Sequence, residues 1–600
     1  MQLASTRCLD APLDSATSIL DVLRWRALHH GRRRAFLFVD QDQSESEVTY
    51  EELDRRALAV AALLEGHTQP GATALLLYPQ GLEFIAAFLG CLYGRVIAVP
   101  AQVPQSARYA ERFLRIASDC GARLALTDRR TLASAGVSEP LLSGLNGARL
   151  IATDEAPAAG HDSGRPAAPD IDPESVAFLQ YTSGATGPPR GVMITHRNMV
   201  ENQRAITQAS QPTPDTLYVS WLPMFHDMGL IGGVMHPLFI GAPGVLMAPG
   251  DFVRRPRRWV EYASRFRATN LVAPNFAYDL CAAAARQEHA TRAHATPLDL
   301  SSLRAVWNGA EPIRAATLRR FDEAYGPNGF AHAAHFPCYG MAETTLLATV
   351  GQQGVPPRIV RVGAAALERG QAVEARADER AYELVSSGRV ALGMRIEVVD
   401  AVSRVALPER AVGEIWISGT SVGKGYWSDP PQSRGPLDAR LVGTQERFFR
   451  SGDLGFLWGG ELFVLGRAAD AIRSGARTLA AEQIEEAVER ALGLRANCVA
   501  ALPDAARSVR IVIEADRALL RAIRPDSAAR KNGRPHASPA HTELATRVRA
   551  SLRAACDIEV GRLLVVKPGG LPRTTSGKLR RFALREALSG GVAETVLDLA

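Results

Sequence analysis

The chain has 600 residues, more than one hydrophobic core usually serves, so two or more domains are expected. Hydrophobic residues at 46% and charged residues at 22% exclude wholesale disorder, and a net charge of +6 spread over this length is too dilute to imply a nucleic-acid partner. No apolar run approaches the roughly eighteen residues of a membrane span, and the first twenty residues carry Asp10 and Asp14 and no signal-type apolar stretch. Seven scattered cysteines (8, 91, 120, 281, 338, 498, 556) form no CxxC, which argues for a reducing compartment, so a cytoplasmic location is expected.

From Ile19 to Leu64 the pattern predicts a helix, a strand around Ala35–Val39 and a second helix, which Thr49 introduces and Glu51 and Glu52 open. Apolar runs then alternate with helical patterns: Ala74–Tyr78, a helix over Leu82–Tyr93, Val96–Val99 and Leu124–Thr127. Such alternation predicts an α/β fold with a largely parallel sheet. Asp154–Asp172, rich in Ala, Pro, Gly and Asp, reads as a solvated connection; the pattern resumes at Ser175 and continues to Val464. Pro356–Glu383 is a polar Arg/Glu/Ala-rich segment between apolar patterns, and Arg524–His541 reads as a mobile loop. Beyond Gly466 the chain predicts a helix at Ala481–Leu492, short strands at Cys498–Ala501 and Arg510–Glu514, and a final helix from Lys578. The expected architecture is a large N-terminal domain, 1–469, of layered α/β subdomains plus a small β-rich part, followed by a small α+β domain, 470–600.

Tyr181-Thr-Ser-Gly-Ala-Thr-Gly-Pro-Pro-Arg-Gly191 is the segment richest in chemistry. Its glycines and hydroxyls suit a loop that wraps an anionic phosphate, with an arginine adding charge-assisted contacts. It is neither GxxxxGK[ST] nor GxGxxG, and a plain Gly/Pro turn would read the same way. Four lysines (424, 531, 567, 578) stand against sixty-five arginines, so each lysine marks a place where a compact ammonium could be needed.

The loop resembles the phosphate-binding loop of the adenylate-forming superfamily, which includes acyl-CoA synthetases, amino-acid adenylation domains and firefly-type luciferases. Arg190 stands where such loops usually carry lysine. Further matches follow in the superfamily's order: Asn308-Gly-Ala-Glu-Pro312, Tyr339-Gly-Met-Ala-Glu343, Ser451-Gly-Asp453 with Gly466-Arg467, and Pro572-Arg-Thr-Thr-Ser-Gly-Lys578. The resemblance implies ATP and Mg²⁺ as cofactors. It implies ATP phosphates at Thr182, Ser183, Gly184, Thr186, Gly187 and Arg190, and the adenine edge at Gly309, Ala310 and Glu311. Adenine would stack on Tyr339 within Tyr339, Gly340, Met341 and Ala342, and the ribose would lie at Asp453 and Arg467. Mg²⁺ would be held by Glu343 and Thr182, hard oxygen donors of the kind magnesium takes. Lys578 would be the catalytic cation on a mobile C-terminal domain, with Asp470 as its hinge.

Trp221-Leu-Pro-Met-Phe-His-Asp-Met-Gly229 places His226 where the resemblance puts an acyl carboxylate, with a backbone-satisfied core histidine as the plainer alternative. The surrounding wording, His226–Gly233 and Ala273–Tyr278, is similar to fatty acyl-AMP ligases, and so is a polar insertion at about 356–383, which in that family disfavours the rotation that lets CoA react. The implied function is activation of a fatty acid to acyl-adenylate with release of pyrophosphate, catalysed by Lys578, His226 and Glu343. Transfer to the phosphopantetheine thiol of an acyl carrier protein in trans would follow, since no Asp-Ser-Leu carrier motif precedes Ala600. A fatty acyl-CoA synthetase and a non-catalytic adenylate-binding scaffold are the alternatives. Ser474–Glu485 departs from the family by lacking its usual Asn and Pro, which bears on transfer more than on adenylation. His332-x-x-His335-x-x-Cys338 has metal-like spacing but reads as the strand leading to Tyr339. Arg254, Arg255, Arg257 and Arg258 read as a solvated helix start or an anionic docking patch.

Overall fold

The computed structural model describes residues 12–104, 107–133, 147–155, 169–182, 188–291, 297–429, 435–504, 508–523, 539–574, 577–590 and 594–599. Most of the connection at 154–172, the loop residues Ser183, Gly184, Thr186 and Gly187, and residues 524–538 lie outside them.

The chain forms the expected α/β layers. One sheet runs Arg149–Ala152, Leu124–Thr127, Thr73–Leu76, Ile97–Pro100 and Val176–Tyr181 in parallel, closed by antiparallel Gly191–Thr195. A second carries Arg34–Val39, Gly244–Met247, Tyr218–Ser220, Asn270–Pro274, Ala305–Gly309 and His335–Gly340 in parallel. At His335–Gly340 it turns antiparallel and continues through Leu347–Val350 and Arg389–Val390 to Glu461–Arg467, Phe449–Trp458 and Gly413–Gly419. The helix Leu82–Tyr93 is apolar on nearly every face, and all but Glu83 of its residues are buried, as a helix between layers must be.

Apolar side chains divide at the end of this sheet. The main core runs from Ala16 to Leu462, whereas Ile472, Leu479, Ile484, Val488, Val499 and Ile511 belong to a separate core in the tail. The tail pairs Val499–Pro503 with Ser508–Glu514, Ser508–Glu514 with Glu559–Val566, and Glu559–Val566 with Thr595–Leu599, backed by helices Ala481–Leu492 and Pro539–Cys556.

Several expectations need correction. Glu45–Thr49 is an additional edge strand whose polar wording, Glu-Ser-Glu-Val-Thr, hides it: only Val48 is buried. Residues 539–541 open a helix instead of ending a loop. The final helix begins at Arg581, not Lys578, because Lys578 O is taken by Thr574 N and Arg580 N by Pro572 O, and a closing strand follows it. Arg257 and Arg258 are buried in ion pairs with Glu261 (2.9 Å) and Asp251 (2.7 Å), so neither is solvated. The strand reading of this stretch holds for His335–Gly340: His332 and His335 both bind Asp322 (2.7 and 2.9 Å), while Cys338 Sγ donates to Asn308 O.

The polar segment at 356–383 forms the hairpin Ile359–Gly363 with Ala381–Val385 and a short helix, Ala364–Leu367. Val362, Leu367 and Ala372 pack on Phe456, Trp458 and Phe463. Its buried Glu368 takes Arg380 and the tail's Arg477 (both 2.9 Å), and Arg380 donates to Ala555 O (2.8 Å). A polar sequence thus has an apolar underside and a charged grip on the tail.

Candidate active site

The parallel strands Asn270–Pro274, Ala305–Gly309 and His335–Gly340 end side by side, and a cleft opens at their carboxyl ends, where α/β sheets gather ligands. Ala310 follows the middle strand with a left-handed backbone (φ 66°), and Gly309 and Gly340 let neighbouring chains close in. A Cβ on Gly340 would fall 1.6 Å from Leu346 O, so only glycine fits there.

Two cavities share this cleft. One, of about 150 Å³, is lined by Ala310, Glu311, Tyr339, Asp453, Arg467 and Lys578. The other, of about 690 Å³, is lined by Thr182, Arg190, His226, Glu343, Arg467 and Lys578. Met341 faces both, Gly340 and Asp470 the first, and Ala342 the second. The structure therefore brings together every described candidate except Gly309, which supports the wall from behind. The larger volume is that of a nucleotide-sized site.

The walls are tightly cross-linked. Tyr339 donates its hydroxyl to Asp453 Oδ2 (2.7 Å), and Arg467 holds Asp453 Oδ1 (2.9 Å) and Ser451 O (2.7 Å). The Asp453 carboxylate raises the Arg467 pKa further, against its burial. Glu343 accepts from Tyr426 at 2.8 Å; burial raises its pKa and the Tyr426 bond opposes the rise. Arg190 lies over the Tyr426 ring, 3.4 Å from its centroid, and pairs with Asp429 at 2.6 Å. Thr182 and Arg190 bracket their loop through Thr182 N to Arg190 O (3.0 Å) and Arg190 N to Thr182 Oγ1 (3.2 Å).

His226 sits at the end of a stapled turn. Gln80 holds Leu222 O (2.8 Å) and Met224 N (3.1 Å), and Gln180 holds Phe225 O (3.0 Å). The π-helical turn Met228–Met235 follows, and a Cβ on Gly229 would meet Pro223 O at 2.1 Å. Burial, then the charges of Arg112 and Lys578, push the His226 imidazole down to about 3, so it is neutral near pH 7. Burial likewise raises Asp227 and Glu311 above ordinary carboxylates. Beside the chamber a narrow, mostly apolar cleft of about 50 Å³ runs among Ile206, Val272, Trp307, Leu346 and Leu347, and Asp227, His236 and Lys578 line it too.

Lys578 comes from the tail. Gly577 before it takes φ 85° and passes so close to Phe276 that a Cβ would lie 2.9 Å from the ring. Thr574 fixes the lysine backbone through Lys578 N to Thr574 Oγ1 (3.0 Å) and Thr574 N to Lys578 O (2.7 Å). Among the described residues the ε-ammonium has no hydrogen-bond or ion-pair partner, while its charge acts on His226, Asp227 and Glu311. The tail is docked by Arg314–Glu489 (2.5 Å) and by Asn497 donating to Glu311 (3.1 Å). Asp470 is gripped by Arg581 (3.2 Å) and Arg585 (3.0 Å).

Sequence reasoning missed Tyr426, Gln80 and Arg112. Tyr426 follows a glycine-bracketed turn, Gly423-Lys-Gly425, and that punctuation was its only signal. Gln80 and Arg112 carry none in the sequence.

The profile of the family described as AMP-binding enzyme matches residues 23–427. The medium-chain-fatty-acid–acyl-carrier-protein ligase JamA of Moorena producens is 35% identical over 582 residues, covering 95% of this chain and 94% of that protein. The long-chain-fatty-acid–AMP ligase FadD32 of Mycolicibacterium smegmatis is 34% identical, with 96% and 95% covered. A solved fatty acyl-adenylate ligase from Legionella pneumophila, in complex with acyl adenylate and pyrophosphate, superposes with a TM-score of 0.72 at 29% identity, covering 98% of this chain and 99% of that one.

Proposed function

The chain belongs to the AMP-binding enzyme family, in its fatty acyl-AMP ligase branch, and on that premise we propose that it activates a fatty acid with ATP and passes the acyl group to an acyl carrier protein. The observation that carries the reading is the convergence of Lys578, His226, Glu343 and the Thr182–Arg190 loop end on one chamber, beside a narrow apolar cleft.

In the first step the fatty carboxylate attacks the α-phosphorus of ATP and pyrophosphate leaves. Two anions must approach, so the site has to supply positive charge where negative charge grows. Lys578 is the cation assigned to this, and among the described residues its ammonium has no hydrogen-bond or ion-pair partner to give up before it engages. His226, neutral at working pH, can donate one hydrogen bond to the carboxylate without drawing off its nucleophilic charge. Tyr339, Asp453 and Arg467 form the nucleoside wall: the carboxylate suits the ribose hydroxyls and the ring suits adenine. Glu343 and Thr182 are hard oxygen donors facing the chamber and fit a magnesium ion, which would neutralise phosphate charge when bound.

In the second step a phosphopantetheine thiol attacks the acyl carbonyl and AMP leaves. Asp470 is assigned as the hinge because it joins the last strand of the large unit to the tail and its partners, Arg581 and Arg585, lie in the tail. The hairpin at 356–383 is read as the family's insertion: it grips the tail through Glu368–Arg477, and Arg477 lies in the departing segment Ser474–Glu485. That grip favours a carrier protein in trans over free CoA. A cytoplasmic location suits an ATP-consuming enzyme whose six described cysteines are free; among the described residues no helix is long and apolar enough to cross a membrane.

The test is fatty-acid-dependent ATP–pyrophosphate exchange in the presence of Mg²⁺, then labelled acyl transfer with holo-carrier protein or CoA as acceptor. Exchange with transfer to the carrier protein is expected. Efficient acyl-CoA release would move the chain to the acyl-CoA synthetases, and no exchange would leave a binding scaffold.

A further inference from the structure

The fold gives His332 and His335 a partner that their spacing does not announce: Asp322, in the last turn of the helix Ala315–Tyr325. His332 Nδ1 lies 2.7 Å from Asp322 Oδ2, and His335 Nε2 lies 2.9 Å from Asp322 Oδ1. One ligand atom from each of the three residues falls within 4.8 Å of the other two. Among the described residues no other side chain pairs with this carboxylate, because the neighbouring Arg319 and Arg320 are turned to Glu383 and Asp279 (2.7 and 2.6 Å). Different elements hold the three groups. His335 opens the strand His335–Gly340, is buried, and has the rings of Phe321 and Phe330 edge-on to it at 6.0 and 5.0 Å. His332 begins a 3-10 turn and is exposed, so the cluster opens to solvent on one side. None of the three lines either cavity of the cleft.

We propose that Asp322, His332 and His335 bind one divalent transition ion of the zinc kind, completed by water, as a structural staple. Two imidazole nitrogens and one carboxylate oxygen suit Zn²⁺, whereas Mg²⁺ takes oxygen donors. A tetrahedral zinc sets its donors about 3.4 Å apart, so the nitrogens need withdraw from the carboxylate by only about 0.5 to 0.7 Å. Each imidazole must offer a lone pair at the nitrogen now turned to Asp322, so any proton there moves to the other ring nitrogen or leaves to solvent. The ion would join the end of the helix to the start of the strand. At their other ends these two elements carry Arg314 and Tyr339, which line the cleft. The expected consequence is stability rather than turnover, and it does not depend on the adenylation reading.

The experiment uses the full chain, stripped by a chelator that is then removed, without nucleotide or Mg²⁺. Wild type, His332→Gln and Asp322→Asn are titrated with Zn²⁺ by calorimetry and with Co²⁺ by visible absorption. His335 is left in place because it is buried in the core. Wild type should take up one equivalent of Zn²⁺ at this site and show Co²⁺ bands of a nitrogen–oxygen donor set. Each variant should lose those bands and bind Zn²⁺ at least about tenfold more weakly, since even residues that only hydrogen-bond a metal ligand cost that much. Zinc should also raise the thermal midpoint of wild type and leave that of His332→Gln unmoved, the shift being read within each chain. A wild type that takes up no zinc, or variants that bind it as tightly as wild type, would overturn the site.

Discussion

The two sides of the cleft are built on opposite principles. On the strand-end side the polar groups are fixed before any ligand arrives: Tyr339 to Asp453, Asp453 to Arg467, Arg467 to Ser451, Glu343 to Tyr426. On the tail side Thr574 and Gly577 set the backbone of Lys578, yet its ammonium is held by no partner among the described residues. On the proposed reading, the fixed Tyr339, Asp453 and Arg467 would recognise what does not change during the reaction, the nucleoside. On the same reading Lys578 would meet charge that exists only in passing, where a permanent partner would have to be broken first.

The largest effect expected from this contrast is on rate alone. Lys578→Ala should lower the adenylation rate by roughly 10²- to 10³-fold, the scale of one lost charge-stabilising donor, with the KM for ATP nearly unchanged. A matching rise in KM would place Lys578 among the fixed recognition groups instead. Next, Asp453→Asn should show the reverse split, raising the KM for ATP by roughly ten- to a hundredfold, because it removes charged bonds and strips the partner from Arg467. Equilibrium binding of ATP checks this directly, and unchanged binding would remove Asp453 from the ribose site.

These two residues also show what a sequence can carry. Lys578 stands out because only four lysines occur, and Asp453 and Tyr339 stand in recognisable strings. Their mutual bond spans 114 residues and depends on how the antiparallel extension folds back on the parallel strands, which no local pattern encodes. Arg112 is one arginine among sixty-five on an amphipathic helix, and only the folded chain shows it facing Thr182. The hairpin at 356–383 was visible as a polar interruption, but its grip on the tail rests on the buried carboxylate of Glu368, which takes Arg477, and on Arg380, which donates to Ala555 O. The edge strand Glu45–Thr49 was lost for the opposite reason: three of its five residues face solvent and read as a loop.

Smaller effects sharpen the same comparison. Tyr426→Phe removes the hydrogen bond that favours the charged form of Glu343, worth about 1 kcal/mol. Burial already holds Glu343 above an ordinary carboxylate, so the acid limb of the kcat/KM profile should move to higher pH; an unmoved limb would separate Glu343 from the chemistry. The gentlest effect concerns stability. His226 and His236 are held down to about 3 and His196 to about 4, each chiefly by burial. Unfolded, each takes a proton near pH 6.5, so between these values the unfolded chain binds more protons and stability falls as pH falls. The thermal midpoint should decline from about pH 6.5 downward, and His196→Gln, which lines neither the chamber nor the cleft, should flatten the slope. A midpoint that holds level between pH 7 and 5 would contradict this.

Chemical rescue tests the central claim most directly. Single-turnover acyl-adenylate formation by Lys578→Ala would be followed with increasing methylammonium or ethylammonium at constant ionic strength. A missing ammonium in an otherwise finished chamber predicts a saturable gain in rate with small amines and none with an inert salt. Wild-type turnover by Lys578→Ala without any amine would contradict it.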